Sequence, residues 1–418
     1  MDRKKYDTAF ERALKYKQEH LLKYIDELSE TEKGSLLSQI ESIDYDLIEK
    51  LYKNAAEGND PSADIELKVT PLPCSEIKKM SEDKIKELEA LGNKAISEGK
   101  VCAVTVAGGQ GTRLGHDGPK GTFSIGLPSN RSLFNILCDK LSKLCRENNS
   151  SIPWYIMTST ENNMQTVEFF KENNYFGYPE EDVVFFIQGM LPIVNNETGK
   201  ILLRKKNEVA LGADGHGGVF NAMLSSGVLA DMEKRGIEYV FLCGIDNVLV
   251  QMANPLFVGF TIDEDTDCAS KGIIKRDPYE KAGVFCYNNG KPAVVEYTEL
   301  NDELRFAKDD KDEYKYGNIN ILNYVFKFDV LKNIANMGLP YHTAFKKAPY
   351  VNEEGNIIKP EKENGYKFET FIFDAFTQLK NMSVLRGVRE EEFAPVKNME
   401  GEDSPETARA LMFAVGEK

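Results

Sequence analysis

The sequence predicts an α/β fold with a doubly wound, mostly parallel sheet. From about residue 100 onward, short apolar runs alternate with amphipathic segments at strand–helix–strand spacing. The predicted strands are 101–106, 154–158, 183–186 and 239–243, and the predicted helices between them are 133–146, 164–173 and 219–234. Ligands of such sheets bind at the carboxyl ends of the strands, so the residues after each strand are the first candidates for a site.

The regions outside this alternating pattern predict two appendages. Apolar residues recur at helical spacing from Tyr6 to about Leu51, 55–73 is rich in loop formers, and 82–99 is a charged helix. We therefore predict an N-terminal helical region at 1–99, a catalytic domain at 100–385 and a short C-terminal segment at 386–418. Within the catalytic domain, 283–299 again has a pattern typical of β-strands. The stretch 301–316 is so highly charged that we predict an exposed surface segment.

Composition excludes several classes of protein. The net charge of −15 argues against a nucleic-acid surface, although a local basic pocket can still hold an anion. The seven cysteines form no C-x-x-C pair and read as reduced thiols, and no apolar run reaches the length of a membrane span. The chain starts with a charged helix, not an apolar signal region. We expect a cytoplasmic protein with no nucleic-acid or membrane partner, and the sequence is compatible with a monomer.

The most informative motif lies directly after the first strand. Val104-Thr-Val-Ala-Gly-Gly-Gln-Gly-Thr-Arg-Leu-Gly115 is followed by Pro119-Lys120-Gly121. Glycines such as Gly108 and Gly109 let backbone N–H groups approach an anion, and Arg113 and Lys120 neutralise charge that those dipoles cannot. The motif therefore predicts a phosphate-binding loop.

Two common phosphate loops are excluded by spacing. A Walker loop needs Lys and Ser or Thr directly after its last glycine, but His116 and Asp117 follow Gly115. A dinucleotide fingerprint needs a third glycine where Leu114 stands, and an acid about twenty residues on, where Ser129 stands. Kinase-type ATP binding and NAD binding are therefore both disfavoured.

Further candidates lie after the other strands and near the C-terminus. Asp246 ends an apolar strand, where a Mg²⁺ ligand would stand, and a turn aspartate is the plain alternative. Gln188 follows another strand and could pair with a base edge, and glycines including Gly215 precede a helix at residue 219. The remaining candidates read equally well as solvated polar residues when taken one at a time; they are Glu296, Asn318, Lys367 and Lys397.

Taken together, these motifs resemble the eukaryotic-type UDP-sugar pyrophosphorylase family, and within it most resemble the UDP-N-acetylglucosamine pyrophosphorylases. The matching stretches run in order through the chain; they are the glycine loop, 154–159, 175–177, 185–192, 214–218, 246–247, 294–297, 317–319, 364–367, 371–374 and 389–398. The resemblance implies a Rossmann-like, glycosyltransferase-A-like fold of the nucleotide-diphospho-sugar transferase type.

The resemblance also implies an activity. UTP and N-acetylglucosamine 1-phosphate would be converted reversibly to UDP-N-acetylglucosamine and pyrophosphate, by Mg²⁺- or Mn²⁺-assisted in-line attack on the α-phosphate. The implied catalytic cations are Arg113, Lys120 and Lys397. The implied nucleotide contacts are Gly108, Gly109, Gln188, Gly215 and Asp246, with Asp246 holding the metal. The implied sugar contacts are His216, Gly283, Glu296, Asn318 and Lys367, with Lys367 as a further cation.

Two departures from the family pattern bear on the sugar and on the chain end. His216 stands where the N-acetylglucosamine enzymes carry Asn, and Gly218 stands where the UDP-glucose relatives carry Asp after Gly-His-Gly. Glucose, galactose or N-acetylgalactosamine 1-phosphate therefore stays an alternative acceptor, and a non-catalytic nucleotide-sugar-binding protein is the alternative of another class. We also expect a C-terminal β domain to be reduced or missing.

Overall fold

The computed structural model describes residues 3–58 and 68–416. In that part of the chain the α-helices are, in order, α1 (Arg3–Lys15), α2 (Glu30–Ser42), α3 (Tyr45–Ala56), α4 (Glu82–Ser97), α5 (Leu133–Asn148), α6 (Asn163–Glu172), α7 (Gly218–Ser225), α8 (Val228–Lys234), α9 (Pro255–Asp263), α10 (Asp302–Phe306), α11 (Phe328–Met337), α12 (Arg389–Glu392) and α13 (Pro405–Ala414).

The strands of the described residues fall into one large sheet and several small ones. They are β1 (Val69–Pro71), β2 (Cys74–Glu76), β3 (Val101–Val106), β4 (Trp154–Thr158), β5 (Val183–Ile187), β6 (Met190–Pro192), β7 (Val194–Asn195), β8 (Leu203–Lys205), β9 (Glu208–Val209), β10 (Leu211–Ala213), β11 (Tyr239–Gly244), β12 (Cys268–Ile274), β13 (Val284–Asn288), β14 (Lys291–Val295), β15 (Asn318–Lys327), β16 (His342–Lys346), β17 (Tyr350–Val351), β18 (Ile357–Ile358), β19 (Gly365–Glu369) and β20 (Met382–Arg386).

The large sheet is mostly parallel, as predicted. Its order is β2-β20-β12-β15-β11-β3-β4-β5, and β1, β13 and β14 pair off this path. Every neighbouring pair along the path is parallel except those that β15 makes with β12 and β11. The antiparallel β15 therefore begins at the edge where β3, β4, β5 and β11 end, which is the edge expected to carry the site.

Helices cover both faces of this sheet. Neighbouring side chains on a strand point to opposite faces. On β4, the Trp154 ring lies 5.6 Å from the Phe170 ring of α6, whereas the Tyr155 hydroxyl donates to Asp231 of α8 at 2.7 Å. The helices α6 and α8 are thus on opposite sides, which confirms the doubly wound arrangement.

The described chain forms two compact units. The first consists of residues 3–58, 189–218 and 339–371, and the second of residues 68–188, 219–338 and 372–416. The second unit contains the large sheet. The first contains α1 to α3 and the small sheets, and its core joins helix residues such as Leu36 and Ile48 to Val194, Ile201 and Phe368.

The predicted domain boundaries near residues 100 and 386 stay a prediction; the two compact units divide the chain at other positions. Helix α4 belongs to the second unit, because it packs closely on α9. The helices α1 to α3 bury their apolar faces on segments from the middle of the chain, a long-range pairing that periodicity cannot detect.

The strand and helix predictions hold with one exception. The segment predicted as a single helix at 219–234 forms two helices, α7 and α8. The chain is interrupted at Gly227, whose φ of 81° is left-handed, and the Ser226 hydroxyl donates to the Ala222 carbonyl at 2.6 Å. The charged stretch 301–316 is largely exposed and contains α10. Of the predicted loop 55–73, residues 55–56 end α3, residues 69–71 form β1, and 59–67 lie outside the described residues.

All seven cysteines are free thiols in the structure. Among the described helices, none combines the length and apolar character that crossing a membrane would require.

Candidate active site

The glycine loop after β3 folds back on itself and brings Lys120 next to Gly109. The Lys120 N–H donates to the Gly109 carbonyl at 3.0 Å, and the Gly111 N–H donates to the Gly118 carbonyl at 2.9 Å. Gln110 and Pro119 form an isolated β-bridge between these two bonds. The two halves of the motif, which are separated in sequence, therefore form one structural loop.

Gly108 and Gln188 are in direct contact, although eighty positions separate them in the sequence. A Cβ atom on Gly108 would lie 2.8 Å from Gln188 Oε1, so a side chain at 108 would displace the amide from this position. Gln188 is buried, and its N–H donates to the Thr158 carbonyl at 2.8 Å, which continues the pairing of β4 and β5. A Cβ on Gly109 would meet no atom within 4 Å, so space is open beside it.

A residue that sequence reasoning missed holds this loop in place. Asn162 is fully buried, and its Nδ2 donates to the carbonyls of Ala107 at 3.0 Å and Gly109 at 3.2 Å. Its Oδ1 accepts a hydrogen bond from the Ser159 N–H at 2.8 Å. The available signal was its position shortly after β4, at the carboxyl edge of the sheet.

Lys120 and Asp246 form an ion pair across the ends of β3 and β11. Their Nζ and Oδ2 atoms are 3.6 Å apart, and both side chains are only partly exposed. Asp246 comes two residues after β11, which is parallel to β3, so it lies at the edge of the sheet where the glycine loop begins. The structure thus brings together two residues that the sequence placed after separate strands.

Arg113 and Lys397 lie in the electrostatic neighbourhood of Lys120. Burial lowers the pKa of Lys120 from its ordinary value; the charges of Arg113 and Lys397 lower this pKa further, and the Asp246 carboxylate opposes the shift. Among the described residues none accepts a hydrogen bond from the Arg113 guanidinium, and this side chain is exposed. The Lys397 ammonium group pairs with Asp403 at 3.4 Å. Lys120 therefore pairs with Asp246 and also experiences the charges of the other two predicted catalytic cations, Arg113 and Lys397.

A second cluster contains three of the predicted sugar contacts. A Cβ on Gly283 would lie 2.9 Å from Glu296 Oε1, and the Gly283 carbonyl accepts from the Asn320 N–H at 2.9 Å. Asn318 begins β15 two residues earlier, and its Oδ1 accepts a hydrogen bond from Arg386 at 3.3 Å. Burial, together with the nearby Glu299 charge, raises the pKa of Glu296.

The other three predicted residues lie in the first unit. Gly215 has a left-handed φ of 84°, and a Cβ there would lie 2.3 Å from the Thr370 carbonyl oxygen. The His216 ring lies 5.3 Å from that of Phe371, which stacks on His342 at 4.8 Å. Lys367 Nζ pairs with Glu369 at 2.6 Å. Packing against the backbone of Thr370 is therefore a sufficient reason for glycine at 215, and its predicted nucleotide contact stays a prediction.

Comparison with known proteins places the chain in a family. The profile of the UTP–glucose-1-phosphate uridylyltransferase family matches residues 49–412. The chain is similar to the UDP-N-acetylhexosamine pyrophosphorylase-like protein 1 of Homo sapiens, with 38% identity over 414 residues that cover 95% of this chain and 82% of that one. It is also similar to the UDP-N-acetylglucosamine pyrophosphorylase of Saccharomyces cerevisiae, with 37% identity covering 94% of this chain and 86% of the yeast protein.

A solved structure supports the same relationship. The UDP-N-acetylglucosamine pyrophosphorylase of Trypanosoma brucei, determined in complex with an inhibitor, superposes with a TM-score of 0.85 at 30% identity, covering 98% of this chain and 84% of the trypanosome chain. The family profile spans most of the sequence, and the sequence and structural similarities extend over nearly all of it. The chain therefore belongs to the UTP–glucose-1-phosphate uridylyltransferase family.

Proposed function

We propose that this protein is a uridylyltransferase that converts UTP and N-acetylglucosamine 1-phosphate to UDP-N-acetylglucosamine and pyrophosphate, reversibly. The observation that carries the proposal is the cluster at the carboxyl edge of the sheet. Lys120 lies 3.6 Å from Asp246, with Arg113 and Lys397 close enough to lower its pKa. The names of the human, yeast and trypanosome relatives support the choice of an N-acetylated sugar.

The chemistry needs charge neutralisation more than it needs a protein nucleophile. In the forward reaction an oxygen of the sugar phosphate attacks the α-phosphorus of UTP, in line with departing pyrophosphate. Both reactants are anions that repel each other, so the cations Arg113, Lys120 and Lys397 would hold them together and stabilise the leaving group. Because Lys120 is partly buried, its charge acts in a medium where it is weakly screened.

The Asp246 carboxylate fits a role as the protein ligand of Mg²⁺ or Mn²⁺. Among residues 3–58 and 68–416, no three His, Cys, Asp or Glu side chains converge as a preformed metal cage. Mg²⁺ beside nucleotides is commonly held by one or two carboxylates, substrate phosphates and water, so a single partly exposed carboxylate suits it. When bound, the cation would supply further neutralisation of phosphate charge.

The contact between Gly108 and Gln188 supports a nucleotide base at this position. The Gln188 amide offers both a donor and an acceptor, which is what the edge of a uracil requires. The open space at Gly109 would admit the nucleotide. By the family resemblance we also assign Gly215 to the nucleotide, and Gly283, Glu296, Asn318, His216 and Lys367 to the sugar phosphate.

One assay tests this function and its alternatives. Purified protein is given UTP, Mg²⁺ and, in turn, N-acetylglucosamine, N-acetylgalactosamine, glucose and galactose 1-phosphate, and released pyrophosphate is measured. We expect N-acetylglucosamine 1-phosphate to give the highest kcat/KM. The double variant Arg113→Ala/Lys120→Ala serves as the control for contaminating activity. A preference for glucose would instead favour the alternative acceptor to which His216 draws attention, whereas tight UDP-sugar binding with no release would identify a non-catalytic binding protein.

A further inference from the structure

A short ladder of hydrogen bonds joins the residues around Asp246 to the segment 392–397. Asn247 is buried at its centre, with its Nδ2 donating to the Glu392 carbonyl at 2.7 Å. Its Oδ1 accepts from the Ala394 N–H at 2.9 Å and from the Leu249 N–H at 3.2 Å. One amide side chain thus satisfies three backbone groups in two distant parts of the sequence.

The backbone continues the same pairing toward the proposed catalytic cation. The Val248 N–H donates to the Ala394 carbonyl at 3.2 Å, and the Val396 N–H donates to the Asp246 carbonyl at 2.9 Å. Lys397 directly follows Val396. The hydrogen bond from Val396 to Asp246 therefore holds the backbone of Lys397 close to Asp246. At the other end of the segment, Glu392 pairs with Lys271 of β12, and both side chains are buried.

We propose that Asn247 is a positioning residue that holds Lys397 in place relative to Asp246. Without its amide, the buried Glu392 carbonyl and Ala394 N–H lose their partners, which favours movement of the segment away from 246–248. A displacement of about 1 Å in a catalytic group is enough to lower turnover strongly. The catalytic part of this inference rests on the proposed function, whereas the placement of the segment does not.

The test compares Asn247→Ala with a matched control, Asn254→Ala. Asn254 is also a structural asparagine of the second unit, whose Oδ1 caps α9 by accepting from the Phe257 N–H at 3.1 Å. Both variants lose side-chain hydrogen bonds, so both are expected to lower the thermal midpoint. Asn247→Asp is included because it keeps an acceptor for Ala394 but replaces the donor to Glu392 with an oxygen.

Two readouts are measured on the full chain. Hydrogen–deuterium exchange of 392–398, without substrates or metal, reports whether the segment is held. Steady-state pyrophosphate release, corrected for the folded fraction, reports turnover. We expect Asn247→Ala and Asn247→Asp to accelerate exchange in this segment and to lower kcat by about tenfold to a hundredfold, with a smaller change in the KM for UTP. Asn254→Ala should keep the parent kcat and the parent exchange of 392–398.

Each contrary result has a distinct meaning. If exchange of 392–398 in Asn247→Ala matches that of Asn254→Ala, Asn247 does not hold the segment and the inference is wrong. If exchange rises but kcat stays within twofold of the control, the catalytic part is wrong. If the parent releases no pyrophosphate with any sugar phosphate, the proposed function fails, and the exchange data alone still decide whether Asn247 positions Lys397.

Discussion

At the scale of single residues, the candidate active site contains several positively charged side chains, although the protein as a whole is negatively charged. The chain carries −15 overall, yet the positive charges of Arg113 and Lys397 both act on Lys120. Their mutual repulsion is unfavourable in the free protein, and it is relieved when anionic phosphates bind. Substitutions at these positions should therefore affect activity far more than folding.

Removal of either loop cation should slow the reaction. We expect Arg113→Ala and Lys120→Ala each to lower kcat by about 10² or more, the scale of losing one preorganised charge partner. The measurement is steady-state release of pyrophosphate at saturating substrates. Lys143→Ala is the matched control, because Lys143 is 71% exposed and its nearest carboxylate, Glu147, is 3.8 Å away. Near-normal turnover in both loop variants would contradict the assignment.

The lowered pKa of Lys120 predicts how UTP binding depends on pH. A lysine whose pKa is lowered by burial loses its proton at a lower pH than the ordinary 10.5. Because the protonated form binds phosphate, we expect UTP affinity to fall as pH rises through this lowered pKa. In Lys120→Arg the guanidinium keeps its charge, so this loss should be absent. Equilibrium dialysis between about pH 7 and about pH 10 measures it, and parallel curves for parent and variant would exclude Lys120 as the cause.

At the scale of elements, buried contacts between distant segments hold the framework around the site. Glu392 of α12 and Lys271 of β12 form an ion pair, and Lys271 is only 2% exposed. Among the described residues, the second carboxylate oxygen of Glu392 is buried without a hydrogen-bond partner. A charged side chain buried in this way is strongly destabilising when its oppositely charged partner is removed.

Removing one charge of this pair should therefore destabilise the protein more than removing both. We expect Lys271→Met to reduce the free energy of unfolding by about 3–5 kcal/mol, because the Glu392 charge is left buried and uncompensated. The double variant Lys271→Met/Glu392→Leu should recover most of this loss, since neither charge then has to be desolvated. Urea denaturation measures both. A double variant as unstable as the single one would show that the pair itself contributes the stability.

The close packing of α4 on α9 leads to a second prediction at this scale, about the glycines at their contact. A Cβ on Gly92 would lie 1.9 Å from the Pro255 carbonyl oxygen, and a Cβ on Gly259 would lie 1.8 Å from that of Leu88. We expect Gly92→Ala and Gly259→Ala each to destabilise by about 1–3 kcal/mol, because the helices would have to separate. Gly34→Ala in α2 is the control.

A Cβ on Gly34 would meet no atom within 4 Å. Because glycine in a helix interior is less favourable than alanine, the control should be stabilising by about 0.5–1 kcal/mol. The midpoints of urea denaturation of the three variants measure these changes in stability. Equal effects at all three positions would show that helix propensity dominates and the helix crossing does not.

At the scale of the whole molecule, two compact units are built from interleaved stretches of chain. The glycine loop, Gln188, Asp246 and Lys397 all belong to the second unit. A ligand that binds these residues in the folded state, and not in the unfolded chain, must stabilise that unit by mass action.

We therefore expect UTP to raise the thermal midpoint. At a concentration of about 100 Kd, the stabilisation should be about 2.7 kcal/mol. We expect ATP at the same concentration to stabilise less, because UTP is the nucleotide of the proposed reaction. Scanning calorimetry measures both. Equal shifts with UTP and ATP would indicate that only the phosphates are recognised.

The sequence alone determined the mostly parallel sheet and the family, because these depend on local patterns. It also predicted that the loop at 104–121 binds phosphate. Strand periodicity, a glycine run and charges at fixed spacing are all visible within short windows. The same local view predicted the placement of Asp246 and Gln188, since each follows a strand that ends at the same edge of the sheet.

Only the tertiary structure decided which distant residues meet. The contact of Gly108 with Gln188, the clamp made by Asn162 and the ladder from Asn247 to 394–396 join segments far apart in the chain. The periodicity of apolar residues could not predict the boundaries of the two units either, because α1 to α3 bury their apolar faces on residues near 200 and 368. An apolar stripe shows that a helix needs a partner, but long-range packing determines which segment that partner is.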